Sequence, residues 1–155
     1  MNIFEHLGLD PAHRRLKDKV TQYVKHWDEV TEKNKIGKTY VGQVKKDGVC
    51  AITIVIDGIP TIWSRTGNLF TNTEIITDWI TKAGLRDGVY MGELWVPKSI
   101  ASLEVWSGII NPNRKKALTP EQFQITTTGK MSFFDLVSIK SFIEGASQTD
   151  YKRRY

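Results

Sequence analysis

The chain has 155 residues, 40% of them apolar, which is enough for one domain with a sizeable core. Its 22 lysines and arginines exceed its 17 aspartates and glutamates, and the formal charge of +5 favours anionic partners such as nucleotides or nucleic acids without requiring them. The single cysteine, Cys50, excludes an internal disulfide and a thiolate cluster for zinc, and a reducing compartment is expected.

The sequence predicts neither export nor membrane insertion. Residues 1–10 lack a basic start followed by a long apolar run, and no stretch approaches the roughly 20 apolar residues that span a bilayer. The three histidines, His6, His13 and His26, lack the paired spacing of metal ligands. We therefore expect a soluble cytoplasmic protein without a protein-bound metal site.

A basic amphipathic helix is predicted near the N-terminus, where Asp10 caps it and Pro11 occupies its first turn. Its apolar residues recur at helical spacing, at Leu16, Val20, Tyr23, Val24, Trp27 and Val30. The opposite face carries the basic residues Arg14, Arg15, Lys17, Lys19 and Lys25. Those side chains face either a phosphate backbone or water alone.

Three antiparallel strands are predicted next, at residues 40–46, 49–56 and 59–64, because β-branched and aromatic residues are frequent there. The dipeptides Asp47-Gly48 and Asp57-Gly58 separate the three runs, and both favour tight hairpin turns. A lysine pair, Lys45 and Lys46, therefore lies at the end of the first predicted strand.

The remaining predicted elements alternate between helix and strand. Asn72 or Thr73 caps a helix that contains Ile76 and Ile80 and that Gly84 ends. A strand follows at residues 89–96, then a short helix within 99–110, and the last clear strand at 131–139. Residues 149–151 resemble a helix start, but the four residues that follow are too few for a stable helix.

An exposed basic loop is predicted where an Asn-Pro-Asn turn at residues 111–113 precedes Arg114, Lys115 and Lys116. The fold class expected from all these elements is α+β, with antiparallel sheets flanked by helices in one domain over residues 1–155.

The lysine pair suggests a nucleophile. Strand alternation would place Lys45 and Asp47 on one face and Lys46 on the other, so that one lysine shares a pocket with a carboxylate. A free lysine, with a pKa of about 10.4, is protonated and inert at neutral pH. Burial and neighbouring cations lower that pKa and so make the neutral, nucleophilic amine available. Arg65 is the candidate neighbouring cation.

Each of these motifs also has a plain structural interpretation. Lys-x-Asp-Gly suits an ordinary charged hairpin. The Ser-Arg-Thr-Gly segment at residues 64–67 is either a polar turn or a phosphate-binding arginine beside a glycine. Glu93 is either an exposed edge carboxylate or a buried one that accepts hydrogen bonds from ribose hydroxyls.

Taken in series, the motifs resemble the ATP-dependent DNA ligases, covalent nucleotidyltransferases related to RNA ligases and mRNA capping enzymes. The likeness runs from about residue 41 to residue 155, in a phage-type pattern. The segments that carry it are Val-Lys-Lys-Asp-Gly-Val at 44–49, Ser-Arg-Thr-Gly at 64–67, Tyr-Met-Gly-Glu-Leu at 90–94, Ser-Gly-Ile-Ile at 107–110, Phe-Phe-Asp-Leu-Val at 133–137 and Tyr-Lys-Arg-Arg at 151–154.

The resemblance implies a role for each matched residue. Lys45 would receive AMP from ATP, with Asp47 and Gly48 in the same nucleotide site. Arg65 would contact phosphate or the nick end, and Glu93 would bind ribose. The adenine would stack on Phe134. Phe133 is the alternative platform, and core packing explains either phenylalanine equally well.

The sequence departs from the family at several points. Cys50 stands where the family usually has an arginine, and Met91 where it commonly has an aspartate. The later Glu-Gly and Lys-x-Lys motifs and the OB-fold domain are not found, so an incomplete, ATP-grasp-like half of the nucleotidyltransferase domain is expected. An unfinished domain would expose sheet edge, which favours self-association or capture of a partner.

The resemblance therefore implies part of an adenylation domain that uses ATP and Mg²⁺ to seal nicked double-stranded DNA in replication, repair and recombination. A second polypeptide would complete it. One alternative is a non-catalytic module that holds nucleic acid or a partner protein through Arg65, Arg114, Lys115 and Lys116. RNA ligase or capping chemistry is another, because it uses the same lysine.

Overall fold

A computed structural model of the chain describes residues 1–10, 28, 30–37, 42–149 and 151–154, without the side chains of 151 and 152. Its strands are β1 (Val49–Ile56), β2 (Ile59–Ser64), β3 (Gly88–Trp95) and β4 (Lys130–Val137). Its helices are α1 (Ile3–His6), α2 (Glu32–Lys35), α3 (Glu74–Ala83), α4 (Leu103–Ile109), α5 (Pro120–Thr127), α6 (Ile139–Glu144) and α7 (Tyr151–Arg154).

The four strands form one antiparallel sheet in the order β2-β1-β3-β4, so β1 and β3 are its inner strands. The β1–β2 hairpin turns at Asp57-Gly58 as predicted. Both residues have positive φ, 53° and 73°, the backbone that a two-residue turn of this kind requires. Both of their N–H groups donate to the carboxylate of Asp87, at 3.1 and 3.2 Å.

Apolar residues cover both faces of the sheet. On one face Ala51, Ile62 and Leu94 pack with α3 and α4, and the buried Trp106 donates its indole N–H to the carbonyl of Leu94 at 3.0 Å. On the other face Ile52, Ile54, Trp63 and Val89 pack with Ile3, Phe4 and Phe142, which belong to α1 and α6. The described part of the chain is thus helix on sheet on helix, a mixed α and β arrangement.

Several predicted elements are confirmed. β1 and β2 have the predicted bounds, and β3 and β4 each lie within one or two residues of theirs. Helix α3 begins after Thr73 and ends at Gly84, whose φ of 65° suits glycine. Helix α4 lies inside residues 99–110, and the side chain of Ser102 accepts a hydrogen bond from the N–H of Val105.

Two predictions about local structure are wrong. Residues 42–46, the described part of the predicted strand at 40–46, are not a strand, and residues 47 and 48 form a bend rather than a hairpin. Residues 151–154 do form a helical turn. It is held to β4 by a bidentate ion pair between Arg154 and Asp135, with nitrogen–oxygen distances of 2.8 and 3.0 Å.

The short helices α1, α2, α5 and α6 were not predicted. Three of them nevertheless begin with local signals, because Asn2 and Thr119 both form capping boxes and Ser138 caps α6. The predicted basic helix lies mainly outside the described residues, as do His13 and His26. No described helix is long and apolar enough to cross a bilayer.

Candidate active site

The segment that carries Lys45 packs against the end of β3. The N–H of Gly48 donates to Glu93 Oε1 at 3.1 Å. A Cβ at Gly48 would lie 2.6 Å from the carbonyl oxygen of Leu94 and 2.7 Å from the Cβ of Trp95, so only glycine fits this approach. The lysine motif and the glutamate motif, 45 residues apart in sequence, are therefore in direct contact.

Glu93 is partly buried on an inner strand, so it is not an exposed edge carboxylate. Burial raises the pKa of this carboxyl group, while the Gly48 N–H and the positive charge of Lys45 act in the opposite direction. The charge of Lys45 therefore acts on Glu93, and the two groups belong to one electrostatic cluster.

Asp47 has a direct partner that the sequence did not reveal. Lys98 Nζ lies 2.8 Å from Asp47 Oδ2, and both side chains are largely exposed. The hydrogen bond and charge of Lys98 lower the pKa of Asp47, with a smaller contribution from Lys45. Asp47 is therefore ionised at neutral pH and shared between two lysines. Lys98 follows β3 by three residues, and only the strand register brings it to this place.

Lys45 itself is exposed and lies in residues 42–46, which do not form a strand. The argument from strand alternation was therefore wrong in its premise. The charges of Lys45 and Asp47 both influence the pKa of Glu93, whereas Lys46 Nζ lies 4.6 Å from the centre of the Trp95 ring.

Arg65 lies in a well-formed polar turn at the end of β2. The Gly67 N–H donates to the Ser64 carbonyl at 2.9 Å, and Gly67 has a φ of 81°. Ala51 of β1 pairs with Ser64 of β2 on one side and with Gly92 of β3 on the other, so β1 lies between Arg65 and Glu93. Two strand spacings place the backbones of Arg65 and Glu93 roughly 10 Å apart. The turn thus directs an arginine to the same end of the sheet.

The two candidate adenine platforms differ in their surroundings. Phe133 packs against the core, with its ring centre 5.1 Å from that of Tyr90. Phe134 falls at an irregularity, because Gly92 pairs with Phe133 and Met91 pairs with Asp135, leaving Phe134 out of the register. Phe133 therefore has a structural role, and Phe134 remains the candidate platform.

The predicted basic loop is more structural than its sequence suggested. The Arg114 guanidinium donates to the carbonyls of Gly108, Lys116 and Ala117 and, at 2.7 Å, to Gln122 Oε1. It therefore braces the loop against α5. Lys115 and Lys116 are exposed, and their predicted contact with nucleic acid remains a prediction.

Trp95 forms a further cluster that the sequence did not reveal. Lys46 and Lys130 both lie over its ring, with ammonium-to-centroid distances of 4.6 and 5.3 Å, and its indole N–H donates to Ser132 Oγ at 2.9 Å. Strand pairing explains the second lysine, since Trp95 is directly opposite Lys130.

A surface cleft at the other end of the sheet, lined in part by Arg86, Ser138 and Arg153, contains none of the predicted site residues. Among the described residues, no group of three His, Cys, Asp or Glu side chains is arranged to hold a metal ion. The predicted lysine and glutamate motifs lie instead at the end of the sheet where Gly48 contacts Glu93.

The fold is shared with two solved structures, named "Pmar-Lig_PreS3" and "Pmar-Lig_Pre." Each matches 72% of this chain at 24% sequence identity, with a TM-score of 0.57. The chain spans 24% of the length of each of those proteins. Neither a protein-family model nor a curated protein matches the sequence. At this identity the likeness concerns the fold alone.

Proposed function

We propose that this chain is part of the adenylation domain of an ATP-dependent DNA ligase, with Lys45 as the nucleophile. The observation that carries the proposal is the contact between Gly48 and Glu93, which brings the lysine motif to the ribose-binding motif at 3.1 Å. The ligase-like fold supports it independently.

In the proposed reaction the deprotonated amine of Lys45 attacks the α-phosphorus of ATP. A nitrogen–phosphorus bond forms, the bond from the α-phosphorus to the bridging oxygen breaks, and pyrophosphate leaves with that electron pair while a proton is released to water. Glu93 accepts hydrogen bonds from the ribose, Phe134 stacks on the adenine, and Arg65 contacts phosphate. Mg²⁺ brought with ATP would supply the positive charge that offsets the phosphates.

The proposal extends to a second polypeptide. Lysines that clamp the α-phosphate in this family belong to motifs not found in residues 1–155, and losing one such contact typically slows the chemistry by about a hundredfold or more. We therefore propose that a companion chain supplies these lysines and an OB-fold domain for duplex DNA.

Labelling with ATP tests the nucleophile. The full chain is incubated with Mg²⁺ and ATP radiolabelled at the α-phosphate, alone and together with a polypeptide that carries the missing motifs. One acid-labile AMP per chain is expected, strongest with the companion. Lys45→Ala should abolish it, because the attacking amine is gone.

Two controls make the result specific. Lys46→Ala, which removes the neighbouring lysine, should retain labelling, and ATP labelled at the γ-phosphate should leave no label on the protein. Labelling that persists in Lys45→Ala, or that is absent under both conditions in the unaltered chain, would refute the catalytic proposal.

A further inference from the structure

Trp95, on β3, contacts side chains from two other segments of the chain. Lys46 reaches its ring from the segment before β1, and Lys130 reaches it from β4, while Trp95 itself belongs to β3. Gly48 is in contact with the backbone beside Trp95, so this cluster adjoins Glu93 and Lys45. We name it the Trp95 cluster, consisting of Lys46, Trp95, Lys130 and Ser132.

The two lysines of the Trp95 cluster carry charge without carboxylate partners. In the described part of the chain, neither Lys46 nor Lys130 forms an ion pair or a hydrogen bond through its ammonium group. The nearby carboxylates are engaged elsewhere, Asp47 with Lys98 and Glu93 with the Gly48 N–H. Two like charges over one ring repel each other, and a bound anion would offset that repulsion.

A cation held over an aromatic ring is oriented without the use of its N–H groups. The ring restricts the lysine, which lowers the entropy lost on binding, and each ammonium still has three donors to offer. Arg114 is the opposite case, because four hydrogen bonds to its own loop, α4 and α5 engage its guanidinium. The Trp95 cluster is thus better prepared for a phosphate than the Arg114 side chain.

We propose that Lys46 and Lys130, oriented by Trp95, bind backbone phosphates of duplex DNA next to the site of adenylation. This inference rests on the proposed function, which requires a DNA end to reach Lys45. Around the Trp95 cluster, the four lysines Lys45, Lys46, Lys98 and Lys130 exceed the two carboxylates Asp47 and Glu93 by two positive charges, before Arg65 at the same end of the sheet is counted.

Equilibrium binding tests the inference without any chemistry. The full chain is titrated into a fluorescently labelled nicked DNA duplex in the absence of ATP, at several salt concentrations, and anisotropy is recorded. The double variant Lys46→Gln with Lys130→Gln should bind roughly tenfold more weakly at low salt. The slope of log affinity against log salt should fall by about 1.8, since about 0.9 counterion is released per phosphate contact.

Two variants serve as controls. Lys115→Gln with Lys116→Gln removes the same charge from the exposed loop and should bind almost as the unaltered chain does. Trp95→Leu removes no charge, so affinity should fall while the salt slope stays nearly constant. The binding experiment contains no ATP and the labelling experiment contains no DNA, so a failed ATP labelling experiment and a failed binding experiment remain distinguishable. Circular dichroism verifies that each variant is folded.

Several outcomes would overturn the inference. Equal losses for the two double lysine variants would indicate a general charge effect, and a loss confined to Lys115 and Lys116 would favour the basic loop instead. Binding of pyrophosphate that is lost in the double variant of Lys46 and Lys130, together with no binding of duplex DNA, would assign the cluster to the nucleotide phosphates. Preference for the same nicked duplex made of RNA would assign it to an RNA substrate.

Discussion

The contact at the centre of the candidate site depends on the missing side chain of Gly48 and on the carboxylate of Glu93. The absence of a Cβ at Gly48 lets the lysine segment approach β3, and the carboxylate of Glu93 accepts the backbone N–H that becomes available there. Glu93 is partly buried, and burial of a carboxylate opposes ionisation. A carboxyl group whose ionisation is opposed in this way is a candidate for the ribose-binding role proposed above.

The raised pKa of Glu93 predicts how stability depends on pH. A carboxyl group whose pKa is higher in the folded state stabilises the fold below its unfolded pKa, and that contribution is lost as pH rises through the folded value. Glu93→Gln keeps an oxygen that can accept from Gly48 but has no charge. The melting temperature of this variant should therefore rise relative to that of the unaltered chain as the pH increases above about 4, the ordinary pKa of a glutamate.

Thermal unfolding of both proteins over that pH range provides the measurement. A constant difference in melting temperature at every pH would contradict a raised pKa at Glu93. The same variant should label poorly with ATP if the carboxylate binds ribose, so a gain in stability would accompany a loss of function.

Among the helices and strands, local sequence signals predicted turns and helix ends correctly, but the sequence did not predict which segments pair as strands. Asp57-Gly58 specified a turn and Gly84 specified a helix end, because each needs a backbone conformation that few residues adopt. Residues 42–46 have strand-like composition but no strand partner, and a strand exists only when it is paired.

The candidate site shows the same division. The motifs recognised in the sequence assigned Lys45 and Glu93 to one nucleotide site, but they did not specify the contact between Gly48 and Glu93. The pairing of Lys130 with Trp95 depends on strand register, and that of Lys98 with Asp47 depends on how the segments next to β1 and β3 are aligned. A single sequence does not contain that information.

The β1–β2 hairpin gives a prediction at this scale. The Asp87 carboxylate accepts both N–H groups of the turn, so Asp87→Ala should lower the free energy of unfolding by about 1 kcal/mol. Asp78→Ala removes the same charge from the exposed face of α3 and should have a smaller effect. Urea unfolding of the two variants measures the difference. Equal losses would show that the turn does not depend on Asp87.

Across the whole molecule, apolar contacts on both faces of one sheet hold helices that are too short to be stable by themselves. Helix α7 has only four residues, and an ion pair holds it against β4. Arg154 and Asp135 are only 17% and 13% exposed, so water competes weakly for their charges.

Arg154→Gln should therefore detach α7 from β4 and lower stability by about 1–3 kcal/mol, because Asp135 is left without its cation. Arg153→Gln, a neutralisation at the adjacent exposed position, is the matched control. Hydrogen exchange of the β4 amides should increase in the first variant only. Identical exchange in both would show that α7 does not contribute to holding β4.

The first few residues are joined to the turn that presents Arg65. The Ile3 N–H donates to the Gly67 carbonyl at 2.9 Å, and the side chains of Ile3 and Phe4 are fully enclosed. Met1, in contrast, is 80% exposed. A purification tag ahead of Met1 is therefore compatible with the fold. Removal of residues 1–4 would leave a cavity beside Trp63 and would destabilise the turn that carries Arg65.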